Sequence, residues 1–196
     1  MLHQTATHAT LLARVADGTD PAAWREFCDR YGELIRAFCR RQGVQPADAE
    51  DVHQDVLLSL TKSMPGFRYD PQKGKFRSYL KTIVLHAIYR RSFQKGGGRS
   101  LGEVEEASRA AATDAGVDEQ WETEWRQHHL RQALRTIGPE FNEADMLAFQ
   151  RYALEGRDAQ EVGAALGLSL DQVYQAKSRI VRRLTRVIET QVAEEG

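Results

Sequence analysis

The chain has 196 residues, of which 41% are hydrophobic and 28% charged, and its formal net charge is −1. This composition suits one domain or two small ones, and without a long apolar run we expect no insertion into a membrane. The N-terminus lacks the pattern of a secretion signal, so we predict a cytoplasmic protein. Cys28 and Cys39 lie eleven residues apart on one predicted helix. That spacing is too long for a disulfide, so both should be reduced.

Charge is distributed unevenly along the sequence. The segment Pro71–Ser100 contains eight Lys/Arg and no Asp or Glu, whereas Glu103–Glu124 contains eight acids and only Arg109 as a cation. A nearly neutral total therefore conceals separate basic and acidic surfaces. For this reason the net charge does not exclude a nucleic-acid partner.

Hydrophobic residues recur at three- and four-residue steps and nowhere alternate for long, which predicts an all-α protein. A short helix is expected over Thr10–Ala16. Asp20 then provides an N-cap for a helix that starts with Pro21 and reaches about Arg41. The next helix is predicted from about Ala47 to Met64, because Pro65 and Gly66 follow it.

The helix over Ala47–Met64 carries an acidic stripe. Asp48, Asp51 and Asp55 lie together, nearly opposite the inward apolar residues, and Leu58 lies beside them. An acidic stripe with an apolar neighbour is typical of a surface for a protein partner, although a merely solvated face is the alternative. A metal site is a poorer interpretation, because no histidine shares the stripe.

A basic and aromatic helix is predicted over Lys75–Lys95, after a turn-rich loop at Phe67–Gly74. Cations that can hold phosphates alternate there with rings that can stack on unpaired bases. Tyr89 and Phe93 are expected to point furthest from the core, and Tyr79 lies at its edge. The candidate DNA contacts of this helix are Arg77, Lys81, His86, Tyr89, Arg90, Arg91, Phe93 and Lys95.

The composition changes abruptly after Lys95, from a glycine run to an Ala- and acid-rich stretch with few large apolar residues. We predict a flexible acidic linker over residues 96–119 between two small helical domains, 1–95 and 120–196. A helix resumes near Gln120, with Trp121 and Trp125 in its core, and ends near Ile137. Asn142 then caps a helix that reaches Leu154.

Two short helical patterns meet at Gly167 within Asp158–Ile188, and they predict a helix-turn-helix. One face of the second helix is apolar, and the opposite face bears amides and cations. An ordinary helical hairpin with a solvated charged face is the alternative. The candidate contacts to duplex DNA are Gln172, Gln175, Ser178, Arg179, Arg182, Arg183 and Arg186.

These segments together resemble the sigma-70 family of RNA polymerase initiation factors, in particular its short extracytoplasmic-function group. Three stretches carry the resemblance: DAED at Asp48–Asp51 with the following VHQDVLLSL, GKFRSYL at Gly74–Leu80, and YALEGRDAQEVGAALGLSLDQV at Tyr152–Val173. They cover nearly the whole chain outside the linker. The resemblance implies a sigma region 2 bundle in residues 1–95 and a sigma region 4 helix-turn-helix in residues 120–196.

The resemblance also implies a function, namely a transcription initiation factor without enzymatic activity, metal or cofactor. Its partners would be core RNA polymerase and promoter DNA. Membership of this group is also compatible with a further partner, an anti-sigma factor or another regulatory protein. The basic aromatic helix would bind and open the minus-ten element, and the last helix would bind the minus-thirty-five element. The residues implicated in polymerase binding are Asp48, Glu50, Asp51, Gln54, Asp55 and Leu58.

The sequence departs from the family pattern at several positions. Tyr79, His86 and Arg90 stand where the family usually has Trp, Asn and Asp, and Val173–Ala176 replaces a common VKSR. We therefore expect the general role to be kept and the preferred promoter to differ. Two other functions compete with this interpretation: a dimeric helix-turn-helix regulator that does not bind polymerase, and a nuclease that holds magnesium on the aspartates of the acidic stripe.

Overall fold

The computed structural model describes residues 8–18, 20–64, 76–95 and 100–195, and within these ranges every regular element is helical. The predicted loop at 67–74 and the glycine run at 96–98 lie outside the described residues. In the described part, no helix is both long and apolar enough to cross a bilayer. The α-helices of these ranges are α1 His8–Asp17, α2 Pro21–Arg41, α3 Pro46–Ser63, α4 Phe76–Lys95, α5 Leu101–Ala112, α6 Ala115–Ile137, α7 Glu143–Phe149, α8 Ala159–Leu166 and α9 Leu170–Glu195.

The start of α2 follows the predicted capping. The side chain of Asp20 accepts hydrogen bonds from the backbone amides of Ala22 and Ala23 at 2.9 and 3.0 Å, and Pro21 occupies the first turn. Arg14 of α1 donates to the same carboxylate. The amide of Ala23 and then Arg14 hold the pKa of Asp20 below its usual value. This N-cap therefore fixes the start of α2 and also connects it to α1.

The contacts divide the chain into two compact units, the first reaching His128 and the second comprising His129–Ala193. Rings from α2 and α6 meet in the core of the first unit. Phe38 and Trp121 pack edge to face with their centroids 4.9 Å apart, and Tyr31 stacks on Trp125 at 6.2 Å. Both tryptophans are almost fully buried in this core. The sequence had placed them in the second domain, so the boundary between the units lies further along α6 than predicted.

The sequence predicted a flexible linker over residues 96–119, but α5 and the start of α6 lie within this segment. Ser100 and Glu103 form a capping box at the start of α5, in which the Ser100 hydroxyl accepts from the Glu103 amide at 3.4 Å and the Glu103 carboxylate accepts from the Ser100 amide at 2.8 Å. Val104, Ser108 and Ala111 then form a buried stripe at helical spacing. The sequence interpretation missed this packing face, because its residues are small and the segment around them is acidic.

The helix-turn-helix lies in the second unit, as predicted. Asp158 caps α8, and Gly167 ends it with a left-handed φ of 67°. A Cβ on Gly163 would meet the backbone oxygen of Leu168 at 2.7 Å, so only glycine fits this close crossing. Val173, at the start of α9, is fully buried against this corner. Local capping and one close approach therefore set the geometry of the motif.

Candidate functional site

The predicted DNA face of α9 is on the surface of the second unit. Val173, Ala176 and Ile180 are fully buried, which fixes the rotation of the helix and turns the opposite side outwards. The candidate residues Gln172, Gln175, Ser178, Arg179, Arg182 and Arg186 are exposed, and Arg183 is half-buried. The packing stripe inferred from the sequence is confirmed, and DNA contact by the outward side remains a prediction.

Two of the four arginines on this face hold carboxylates of the second unit. Arg183 binds Glu140 through two parallel hydrogen bonds of 2.6 and 2.7 Å, and Arg179 binds Asp145 at 2.9 Å. The hydrogen bonds from Arg183 lower the pKa of Glu140, which is therefore charged at neutral pH. Among the described residues, Arg182 and Arg186 have no carboxylate partner. These two are thus the more available candidates for contact with phosphates.

Gln172 has a structural role that the sequence interpretation did not include. Its side-chain oxygen accepts a hydrogen bond from the Ser169 amide at 2.7 Å, and the Ser169 hydroxyl accepts from the Gln172 amide at 3.2 Å. This is a capping box at the start of α9. This hydrogen bond holds the side-chain oxygen of Gln172 against the helix start. Gln175 is the better candidate for paired hydrogen bonds to adenine.

Tyr174 and Lys177 of α9 form an aromatic and cationic group with Tyr152, which precedes α8, and this group was not predicted as a site. Tyr174 is 45% exposed, and its ring meets that of Tyr152 edge to face at 5.5 Å. The ammonium of Lys177 lies 4.9 Å from the centre of the Tyr152 ring. The sequence signal was a tyrosine and a lysine three residues apart at the N-terminal end of α9.

The acidic stripe of α3 is paired with two cations of α4. Arg91 binds Asp51 directly and lies 3.7 Å from Asp48 and 3.8 Å from Asp55, while Lys95 also binds Asp48. The hydrogen bond from Lys95 is the main reason that the pKa of Asp48 lies below its usual value. The three aspartates predicted to bind polymerase and these two cations predicted to bind DNA therefore neutralise each other in this structure.

The other candidates on α3 differ in availability. Glu50 interacts with Arg36 at 3.5 Å and with the buried His53 at 3.3 Å, whereas Gln54 is exposed. Leu58, beside the charged stripe, is 57% exposed. In the described ranges, no group of three or more His, Cys, Asp or Glu is placed to hold a metal ion. The stripe therefore places carboxylates beside one exposed apolar side chain.

Two cations of α4 predicted to bind DNA contact α6 instead. Lys81 is only 7% exposed, and its ammonium donates to Asp118 at 2.6 Å and to the carbonyl of Ala112 at 3.0 Å. Arg77 forms an ion pair with Glu122 at 3.1 Å and is half-buried. Packing of α5 and α6 encloses the Lys81 side chain in this structure, and its contact with DNA stays a prediction.

The remaining candidates on α4 form a partly covered surface. Arg90 is exposed, whereas His86 is half-buried in a groove lined by Ser108 and other residues of α5. Tyr89 and Phe93 are also half-buried, with their ring centroids 6.1 Å apart, and Tyr89 packs against the core of the first unit. Tyr89 and Phe93, which were predicted to point furthest from the core, are therefore partly covered in this structure.

Comparison with known proteins finds a family match within the first unit. Residues 27–96 match the family model of sigma-70 region 2. The chain is 26% identical over 160 residues to the ECF RNA polymerase sigma factor SigE of Mycolicibacterium smegmatis, an alignment that covers 82% of this chain and 58% of that protein. The chain thus spans a little over half the length of this relative. Among solved structures, CnrH in complex with the cytosolic domain of CnrY aligns with a TM-score of 0.35 and 19% identity, over 91% of this chain and 95% of that one.

Proposed function

We propose that the chain is a sigma-70 family transcription initiation factor that binds core RNA polymerase and directs it to promoters, because residues 27–96 match the sigma-70 region 2 model and the chain resembles an ECF sigma factor. The observation that carries this proposal is the presence of two elements on one chain. A sigma-70 region 2 covers residues 27–96, and a helix-turn-helix with an outward basic face follows it. Such a factor would act in the cytoplasm, and the proposal assigns no catalytic step to this chain.

The acidic stripe of α3 is the proposed contact with polymerase. It supplies carboxylates, the exposed apolar side chain of Leu58 and the exposed amide of Gln54 on one helix face. A complementary basic surface on the partner would compete with Arg91 and Lys95 for these carboxylates. Binding would then release both cations towards DNA. The same ion pairs would thereby oppose DNA binding until polymerase is engaged.

The DNA contacts are divided between the two units. On α4, we assign the minus-ten element and its opening to the exposed Arg90 and to Tyr89 and Phe93, whose stacking on unpaired bases is worth roughly 1 to 3 kcal/mol per base. This role requires both rings to leave their half-buried positions. On α9, we assign the minus-thirty-five element to the outward face that carries Gln175 and Arg182.

The direct test is transcription with purified components. Core polymerase, with and without the full-length chain, is incubated with genomic DNA fragments, the 5′ ends of the transcripts are mapped, and permanganate detects unpaired thymines upstream of them. We expect new start sites preceded by two shared sequence elements, with unpaired thymines in the downstream one. No transcripts beyond those of core polymerase would contradict the proposal. A dimer that binds DNA but not polymerase would favour the regulator instead.

A further inference from the structure

The group formed by Tyr152, Tyr174 and Lys177 lies at the edge of the DNA face of α9. With Val173 at zero, Tyr174 lies at about 100° and Gln175 at about 200° around the helix. Tyr174 therefore separates the buried stripe from the amide-bearing face. Tyr174 is 45% exposed, so much of its large ring is in contact with water.

Packing restricts the orientation of the Tyr174 ring. Tyr152 lies in a short π-helix, Gln150–Leu154, that precedes α8. Its ring meets that of Tyr174 edge to face with 65° between the ring planes, and the Lys177 ammonium lies 4.9 Å from the centre of the Tyr152 ring. A side chain already held in one orientation loses little conformational entropy when it binds. The group thus provides a preorganised apolar surface beside hydrogen-bonding residues.

We propose that Tyr174 is a specificity-determining residue that contacts the 5-methyl group of a thymine in the major groove of the upstream promoter element. This inference rests on the proposed function of α9. The thymine methyl is the apolar feature of the major groove, and an aromatic carbon surface is complementary to it. Gln175, the next residue along the helix, carries the amide that can pair with an adenine. The neighbouring side chains thus match an element that contains both A and T.

Tyr152 is a positioning residue in this proposal. It holds the ring of Tyr174 from the side of the short π-helix, and Lys177 lies near enough to Tyr152 to limit its movement. Tyr152 itself is half-buried and need not reach the DNA. Its contribution is the orientation of Tyr174.

The test first selects a preferred upstream element and then removes single methyl groups. The full-length chain, alone and with core polymerase, is bound to a duplex library with a randomised upstream region, and the enriched sequence is determined. Each thymine of that sequence is then replaced by uracil, which keeps base pairing and removes only the methyl. We expect one replacement to weaken binding by about fourfold, the amount expected for burial of one methyl group.

Tyr174→Ala should bind the thymine and uracil forms equally, while Tyr174→Phe should keep the discrimination. Tyr152→Leu should reduce the discrimination between the two forms more than it reduces binding to the uracil form, which a purely structural role would not do. Thermal unfolding of each variant provides the folding control. Equal binding of thymine and uracil forms by the unchanged protein at every position would overturn the inference and leave the proposed function intact. Failure to enrich any sequence, with or without polymerase, would instead contradict the proposed function.

Discussion

Replacing Asp51 by arginine tests the polymerase contact assigned to α3. In the free protein this change removes an ion pair with Arg91 in which the two side chains are 46% and 27% exposed. An exposed pair of this kind contributes about 0.2 to 1 kcal/mol, and the new repulsion between two arginines costs a similar amount. We therefore expect a loss of about 1 kcal/mol in the free energy of unfolding, which corresponds to roughly 4 °C in melting temperature.

The effect on polymerase binding should be much larger. Juxtaposing like charges in a complementary interface costs several kcal/mol, and even about 2 kcal/mol weakens binding roughly 30-fold. The assay is titration of fluorescently labelled chain with core polymerase, at two salt concentrations because charged contacts are screened. Glu26→Arg is the matched control, since it removes a comparable ion pair, with Arg14 at 3.0 Å, outside the acidic stripe.

Arg91→Gln separates the interface from the internal ion pair. It removes the same pair as Asp51→Arg, yet it leaves the carboxylate of Asp51 free for the partner. We expect similar destabilisation of the free protein but tighter polymerase binding, by roughly two- to fivefold, because a competing cation is gone. If both variants lose polymerase affinity equally, the acidic stripe acts through the stability of the first unit, and the assignment of a direct contact is refuted.

Three further predictions concern the second unit and the cysteines. Gln175→Ala should change the base preference at one or two upstream positions, by roughly 1 to 3 kcal/mol. Arg182→Ala should weaken binding to all sequences and reduce the salt dependence of binding. If both variants lower binding uniformly across a duplex library, the assignment of Gln175 to bases and Arg182 to phosphates is contradicted. Gly163→Ala should lower the free energy of unfolding by about 1 to 3 kcal/mol in chemical denaturation, because the added methyl would meet a backbone oxygen at 2.7 Å, and an unchanged midpoint would disprove that clash. Burial raises the pKa of the Cys39 thiol to about 12, so this thiol stays protonated as the pH rises to 9 and should resist iodoacetamide. The half-buried Cys28 should react first. Mass spectrometry of the alkylated peptides reports the order of reaction.

Local chemistry explains why the sequence predicted most of the helices. Asp20 with Pro21, and Asp158 with Gly167, are signals that act within a few residues, and the structure uses both pairs as caps. The apolar stripe of α9 could also be predicted, since a helix with one apolar face buries that face whatever it packs against. The outward position of Arg182 follows directly, because this residue lies opposite the apolar stripe.

The sequence by itself therefore determined the helical class, the helix-turn-helix and the outward basic face of α9. Only the tertiary structure decided how the charges of the first unit are used. Lys81 lies about 140° around the axis of α4 from the buried Phe76, a position that fits either the edge of the core or solvent. Packing of α5 and α6 buries it against Asp118. The pairing of Arg91 with Asp51 likewise joins residues 40 positions apart. Helical periodicity gives the direction of a side chain from its own axis, whereas the identity of its partner depends on which helices pack together, and no local signal encodes that choice.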